Sequence, residues 1–352
     1  MGQSNPFVLA RVALALVLGT VGGAVFVWLS LPLPWMLGAI VANVAGSLLM
    51  LPLWSPLRIR RIVAVIIGLM LGSSFGPDTL DQLTTWIASM SMLVVYLMVS
   101  ACIVVPYYRW VGGMDPLTAF FAGMPGGLAE MTFLGQDMGA DDRSIVMAHA
   151  GRVVVVVLLV AMTARFIPGY DPTQRLSAGV SFSQISLTSV LALTIAGIAG
   201  FYLARSLRLP AYHLIGPMFC SAVLHVSGIV DQPPPKELVA GAQVVLGTIV
   251  GCRFIGTKPR QILRALILGM GATCIMLMIT VLFAVLLYNV TGQNPVLLVL
   301  AYSPGGLAEM SLVALALGEN IAFVAAHHLA RISFVVLVAP LALTGWNRWR
   351  NK

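Results

Sequence analysis

Ten stretches of this chain are apolar and almost free of charge, and that property narrows the folds open to it more than any other. They fall at 7–30, 32–53, 62–76, 84–107, 143–164, 185–204, 210–230, 239–253, 265–290 and 321–344, with two further apolar stretches at 116–138 and 295–317. Most are roughly 17–25 residues long, the length an α-helix needs to cross a hydrocarbon core of about 30 Å. With 59% hydrophobic and 9% charged residues the chain has too little charge to clothe a water-soluble domain. The fold class is therefore an all-α integral membrane protein. The first run starts at Pro6, has no short basic region and no small-residue cleavage site, and reads as a retained span rather than a signal peptide.

A net charge of +8 could suggest nucleic acid, but the cations sit in short loops between apolar runs: "SPLRIRR" (55–61), "CRFIGTKPRQILR" (252–264) and "WNRWRNK" (346–352). Such clusters are the mark of cytoplasmic flanks under the positive-inside rule. The implied surroundings are a lipid bilayer and no nucleic acid. Cys102, Cys220, Cys252 and Cys274 lie in or at the ends of apolar runs with no CxxC pair, and the five histidines are not spaced as ligands. No metal or other cofactor is expected.

The chain repeats itself. A shift of 179 positions lays "MPGGLAEM" (124–131) on "SPGGLAEM" (303–310), "IIGLMLGSSF" (66–75) on "VLGTIVGCRF" (245–254), and "MGADDRSIVMAHAGR" (138–152) on "LGENIAFVAAHHLAR" (317–331). A shift of 178 lays "LPLPWMLGA" (31–39) on "LPAYHLIGP" (209–217). Duplication of a whole domain is the reading: a first repeat over 1–168, a connector over 169–184 and a second repeat over 185–352. An odd number of crossings per half inverts the second copy. If both PGG segments cross fully, "GTKPRQILR" lies on the wrong side; if both are re-entrant, nearly all Lys and Arg gather on one side and only Arg11, Arg152 and Arg331 stay in the membrane. The expected architecture is two inverted-topology repeats, each of five spans plus a glycine-broken re-entrant hairpin, with both termini cytoplasmic. A discontinuous crossing helix satisfies the same glycine pattern.

Pro125-Gly126-Gly127 and Pro304-Gly305-Gly306 remove an amide donor and permit positive φ, so the helix should break at both. Broken backbone within a membrane is tolerated only against protein or a water-lined cavity, and paired breaks build the substrate sites of secondary transporters; tight kinks without a ligand are the plainer alternative. Glu130 and Glu309 stand one turn into the returning arm, where a carboxylate marks an ion path, a proton site or an ion pair. Arg152 and Arg331 stand about ten residues into their helices, near the midplane, with His149 and His328 on the same face three residues earlier. The nearest partners on offer for the arginines are Glu130 and Glu309, and each arginine is either a counter-ion or a fork for a substrate carboxylate. The histidines either relay protons or pack. Candidate substrate- and ion-binding residues are thus Pro125, Gly126, Gly127, Glu130, His149 and Arg152, with Ser303, Pro304, Gly305, Gly306, Glu309, His328 and Arg331. Asp141, Asp142 and Glu319 are expected to cap the next helices, and Gly68/Gly72 and Gly247/Gly251 to mark close helix packing.

The doubled "PGGLAEM", the "H-x-x-R" and "A-H-H-L-A-R" that follow, and "LPWMLGA" near the start resemble the AbrB family of bacterial membrane proteins over nearly the whole chain. That family has been labelled an ammonia monooxygenase or a regulator, yet there is no copper-type histidine cluster and no nucleic-acid module here. More distantly the layout is similar to the cation/proton antiporters and anion symporters, which implies an elevator-like carrier with a dimerising scaffold. The polar residues that follow the glycines in those symporters have no match, since "LAEM" stands there. The expected function is secondary transport of a small, anionic organic solute coupled to H⁺ or Na⁺, by a homodimer in the bacterial inner membrane. The alternative is a membrane-embedded regulator or receptor without turnover. No nucleophile–base pair or metal cluster suggests an enzyme.

Overall fold

The computed structural model describes residues 6–75, 86–163, 180–209 and 211–350. Among them every regular element is helical. The first half carries α1 (Pro6–Trp28), α2 (Pro34–Leu48), α3 (Arg60–Gly72), α4 (Trp86–Trp110), α5 (Pro116–Gly123), α6 (Leu128–Asp137) and α7 (Asp142–Thr163). The second carries α8 (Leu187–Ser206), α9 (Tyr212–Val226), α10 (Lys236–Gly251), α11 (Pro259–Thr291), α12 (Pro295–Tyr302), α13 (Leu307–Leu317) and α14 (Ile321–Arg350). Helix α9 starts and ends 178 positions after α2, and α12 starts and ends 179 after α5. Most of the connector expected over 169–184 lies outside the described residues.

Among the described residues seven helices are long and apolar enough to cross a membrane: Phe7–Trp28, Trp86–Trp110, Asp142–Thr163, Leu187–Ser206, Lys236–Phe254, Pro259–Thr291 and Ile321–Val338. The chain is a multi-pass membrane protein. Three of the ten expected spans are shorter. Helices α2 and α9 have 15 residues each and α3 has 13, so a straight 15-residue helix covers only about 22 Å of a core of about 30 Å. Local backbone explains the lost length. The residues before α2 and α9, Leu33 and Ala211, are left-handed at φ 46° and 47°, and Met50 and Gly228 turn left-handed just past their ends.

Two compact units divide the chain, and each draws on both halves. The first comprises Met1–Gln82, Val157–Ile262 and Ser311–Ala322; the second comprises Leu83–Val156, Leu263–Met310 and Phe323–Lys352.

Glycine contacts organise the first unit. Helices α1 and α2 touch backbone to backbone at Gly22 and Gly38, where a methyl on either residue would strike the other's carbonyl, and α8 and α9 do the same at Gly200 and Gly216. The expected small-residue faces are real and pair crosswise. Gly68 and Gly72 of α3 lie on the carbonyls of Leu214 and Met218 in α9, while Gly247 and Gly251 of α10 lie on Met36, Ile40 and Asn43 of α2. Each crossing holds one buried polar link. Ser221 Oγ donates to the Leu69 carbonyl at 2.7 Å, and Asn43 Nδ2 donates to Thr248 Oγ1 at 3.3 Å. Small residues let helices approach closely where no hydrophobic force drives them together, and a satisfied polar pair fixes their register.

The second unit holds α4, α5, α6 and α12, most of α7, α11 and α14, and the first turn of α13. Helix α11 crosses α7 at glycine, so that a methyl on Gly269 would come within 2.8 Å of Arg152 N. Along α4 the buried face carries Trp86, Ser89, Leu93, Tyr96, Leu97, Ser100, Val104 and Tyr108, a helical stripe of which half bears a hydroxyl inside an apolar span.

Candidate functional site: two broken helices

Both PGG segments interrupt the helix, as the sequence indicated. Helix α5 begins at Pro116 behind Asp115, whose carboxylate accepts from the amides of Leu117 and Thr118 at 3.0 Å each. It ends at Gly123, the chain runs extended through Met124, and α6 starts at Leu128. Helix α12 begins at Pro295 behind Asn294, whose Oδ1 accepts from the Val296 amide at 3.0 Å, ends at Tyr302 and gives way to α13 at Leu307. Asp and Asn at these positions supply the side-chain acceptor that an N-terminus lacks, and proline at the first helical position has no amide to leave unpaired.

The glycines act through their size. None of Gly126, Gly127, Gly305 and Gly306 uses the positive φ open to glycine, and Gly127 sits at φ −70°, ψ 142°. The returning helix instead folds side chains back over the turn. A methyl on Gly127 would collide with Glu130 Oε2, and one on Gly306 with Glu309 Oε2. A methyl on Gly126 would meet Met131 Sδ at 2.9 Å, and one on Gly305 would meet Met310 Sδ at 2.9 Å. Hence the octapeptide: the second glycine makes room for the acid three residues on, and the first for the methionine five residues on. With Gly127 capping α6, Glu130 stands at the third helical position, where its charge complements the positive end of the helix. Both carboxylates are half-buried.

Each arginine meets the other side of its break, and the expected Glu–Arg pairing is not what forms. Arg331 donates from Nη1 to the Ser303 carbonyl at 2.6 Å and from Nη2 to the Gly305 carbonyl. Arg152 donates from Nη2 to the Met124 carbonyl at 3.2 Å and from Nη1 to the Ala122 carbonyl at 3.5 Å. The histidines take the carbonyl one turn back: Nε2 donates to Phe121 at 2.9 Å for His149 and to Leu300 at 3.0 Å for His328. A helix that stops inside a packed core leaves its last carbonyls unpaired, with the negative end of its dipole exposed. The H-x-x-R pair on the following helix supplies both the donors and the charge. Sequence reading could not see this, because backbone carbonyls are anonymous until the break places them.

His149 also accepts from Arg152 Nη2 at its Nδ1, at 2.8 Å. A guanidinium only donates, so His149 is the neutral tautomer with its proton on Nε2. Both arginines are 2% exposed. Beside the second break lies a hydroxyl network that sequence reading missed. Tyr302 donates to the Ser89 carbonyl, His327 Nε2 is 2.9 Å from Ser89 Oγ, and Tyr96 is 3.1 Å from Thr280 Oγ1. Isolated Ser, Thr and Tyr in an apolar run raise no alarm; only their helical spacing along α4 could have signalled it.

Asp141 caps α7 as expected, accepting from the Arg143 amide at 3.2 Å and from Ser144 Oγ at 2.5 Å. No group of three or more His, Cys, Asp or Glu side chains gathers as a metal site among the described residues.

The family profile described as "Transition state regulatory protein AbrB" matches residues 35–347, which takes in both broken helices. The chain belongs to the AbrB family. It is similar to "Uncharacterized protein YhjN" of Bacillus subtilis (strain 168), 26% identical over 346 residues, covering 91% of this chain and 88% of the relative. It is likewise similar to "Putative regulator AbrB" of Escherichia coli (strain K12), 26% identical over 322 residues, covering 90% of each.

Proposed function

We propose that this AbrB-family protein is a secondary active transporter that carries a small, anionic organic solute coupled to H⁺ or Na⁺. The observation that carries the reading is the pair of helix breaks of matching build in one compact unit, each with a cation at the end of one arm and a half-buried carboxylate at the start of the next. Broken helices within a membrane-embedded core serve to expose amides and carbonyls to a ligand. The guanidinium groups favour an anion, and Glu130 and Glu309 are the groups for the coupling ion. The matched helix bounds at shifts of 178 and 179 support a duplicated domain. Five crossings and one re-entrant pair per half would invert the second copy and leave both termini in the cytoplasm. In an elevator-like cycle the break-bearing unit is the part that carries the solute, within a homodimer of the bacterial inner membrane, and no bond is made or broken in the solute.

Flux in proteoliposomes tests this, with a panel of radiolabelled mono- and dicarboxylates and with pH and sodium gradients imposed separately. Flux that follows one gradient and is lost in Glu130→Gln and Glu309→Gln is the expected result. Unchanged flux and coupling in both variants would refute the role given to the acids. The name of the Escherichia coli relative favours a second reading, a membrane-embedded regulator without turnover; saturable binding with no flux under any gradient would support it.

A further inference from the structure

The two breaks use their arginines differently. Arg331 is clamped by two short bonds to Ser303 and Gly305. Arg152 is held loosely: Nη1 has a 3.5 Å bond to Ala122 and a 4.0 Å contact with Met276 Sδ, and Nη2 divides between Met124 and His149. Nε of each arginine has no partner among the described residues. Neither do two hydroxyls on the facing helices, Tyr108 OH on α4 and Thr273 Oγ1 on α11, although Tyr108 and Thr273 are 0% exposed.

Tyr108, Ala122, Ala148, Ala272 and Met276 pack in one buried cluster. Arg152 reaches two of its members, the Ala122 carbonyl and the Met276 sulfur, and Thr273 stands on α11 between Ala272 and Met276. At the second break the positions 179 away from Tyr108, Thr273 and Met276 are Leu287, Val94 and Leu97, which offer neither a hydroxyl nor a sulfur. Buried polar groups are almost always paired, and an unpaired donor set around a guanidinium is the complement of an oxyanion.

We infer that the first break holds a carboxylate subsite, with Arg152 binding the anion, Tyr108 and Thr273 donating to its oxygens, and Met276 occupying the site as a displaceable side chain. Methionine suits that part because its unbranched thioether repacks with little penalty. Arg331 is then a structural cap. The inference rests on the transporter reading and names the chemistry of its solute: at least one carboxylate, bound at the first break.

The test is binding, without turnover. Thermal unfolding of the detergent-purified full chain is followed during titration with sodium formate, acetate or benzoate, against sodium chloride at matched ionic strength. A saturable rise in the unfolding midpoint with at least one carboxylate, absent with chloride, is expected. Tyr108→Phe and Thr273→Val remove unpaired hydroxyls, so each should leave the ligand-free midpoint unchanged or raised while weakening carboxylate binding about tenfold. Met276→Ala should tighten binding. No saturable shift with any carboxylate, an equal shift with chloride, or undiminished binding in both hydroxyl variants would overturn the subsite. Binding that is present while proteoliposome flux is absent would sink the transporter reading and leave the subsite standing.

Discussion

The first and second breaks have the same frame and different linings. In each, an acid folds over one glycine, a methionine over the other, and a His–Arg pair seals the carbonyls of the arm before. Gly123 ends the first arm, and its small size lets α5 lie on the backbone of α4, where a methyl would be 2.9 Å from Val105 Cα. Tyr302 ends the second, and its hydroxyl reaches Ser89 on that same helix. One arm is held by close approach and the other by a long side chain with a polar tip. The frame is common to the two breaks, and the lining is where they differ. A tightly satisfied cluster rigidifies, whereas a partly satisfied one is suited to exchange partners.

The widest gap between the two should appear on removing the arginines. Arg331→Met strips two charged donors from the Ser303 and Gly305 carbonyls, at about 1.5–3 kcal/mol each, and should lower stability in detergent by about 3 kcal/mol or more. Arg152→Met should cost about half of that, because its bonds are longer and shared. Equal losses in thermal or denaturant unfolding would erase the distinction drawn between the breaks. A smaller effect, the same at both, is expected for Gly127→Ala and Gly306→Ala, which force the Glu carboxylate away at about 1–3 kcal/mol. Adding Glu130→Ala to the first, or Glu309→Ala to the second, should recover most of the loss, and a double-mutant cycle with no coupling would show that the acids do not lie over the glycines.

The smallest effect concerns the caps. Burial acts to raise the Asp115 carboxyl, but hydrogen bonds from the Thr118 side chain and the Thr118 and Leu117 amides outweigh it and hold the group below the ordinary carboxylate range. A carboxyl lowered by folding adds stability that is complete above its unfolded value of about 3.9 and fades as pH falls through the folded value. Asp115→Asn copies the cap of the second break, Asn294. It should change stability at pH 7 by less than about 0.5 kcal/mol, and should flatten the decline below about pH 4. A larger loss at neutral pH would mean that Asp115 does more than cap.

Much of this was legible from the residues. Apolar runs located every long helix, and two prolines with four glycines located both breaks, because chain geometry follows directly from those residue types. The length of α2 and α9 was not legible, since Leu33 and Ala211 adopt a left-handed conformation that neither residue announces. Nor were the partners of Arg152 and Arg331. A charge in an apolar run invites a search for its opposite, yet the donors were answered by backbone carbonyls, which carry no letter in a sequence. The hydroxyl stripe of α4 was hidden for a related reason: Ser89, Tyr96, Ser100 and Tyr108 are unremarkable singly and become a surface only when wound onto a helix.

The crosswise seating of α3 on α9 and of α10 on α2 bears on how the protein is made. When α3 leaves the ribosome its glycine face has no seat, because α9 begins about 140 residues later, or about 7–28 s at 5–20 residues per second. The seating of this face is therefore a wait within one molecule, for a helix from the other half of the same chain.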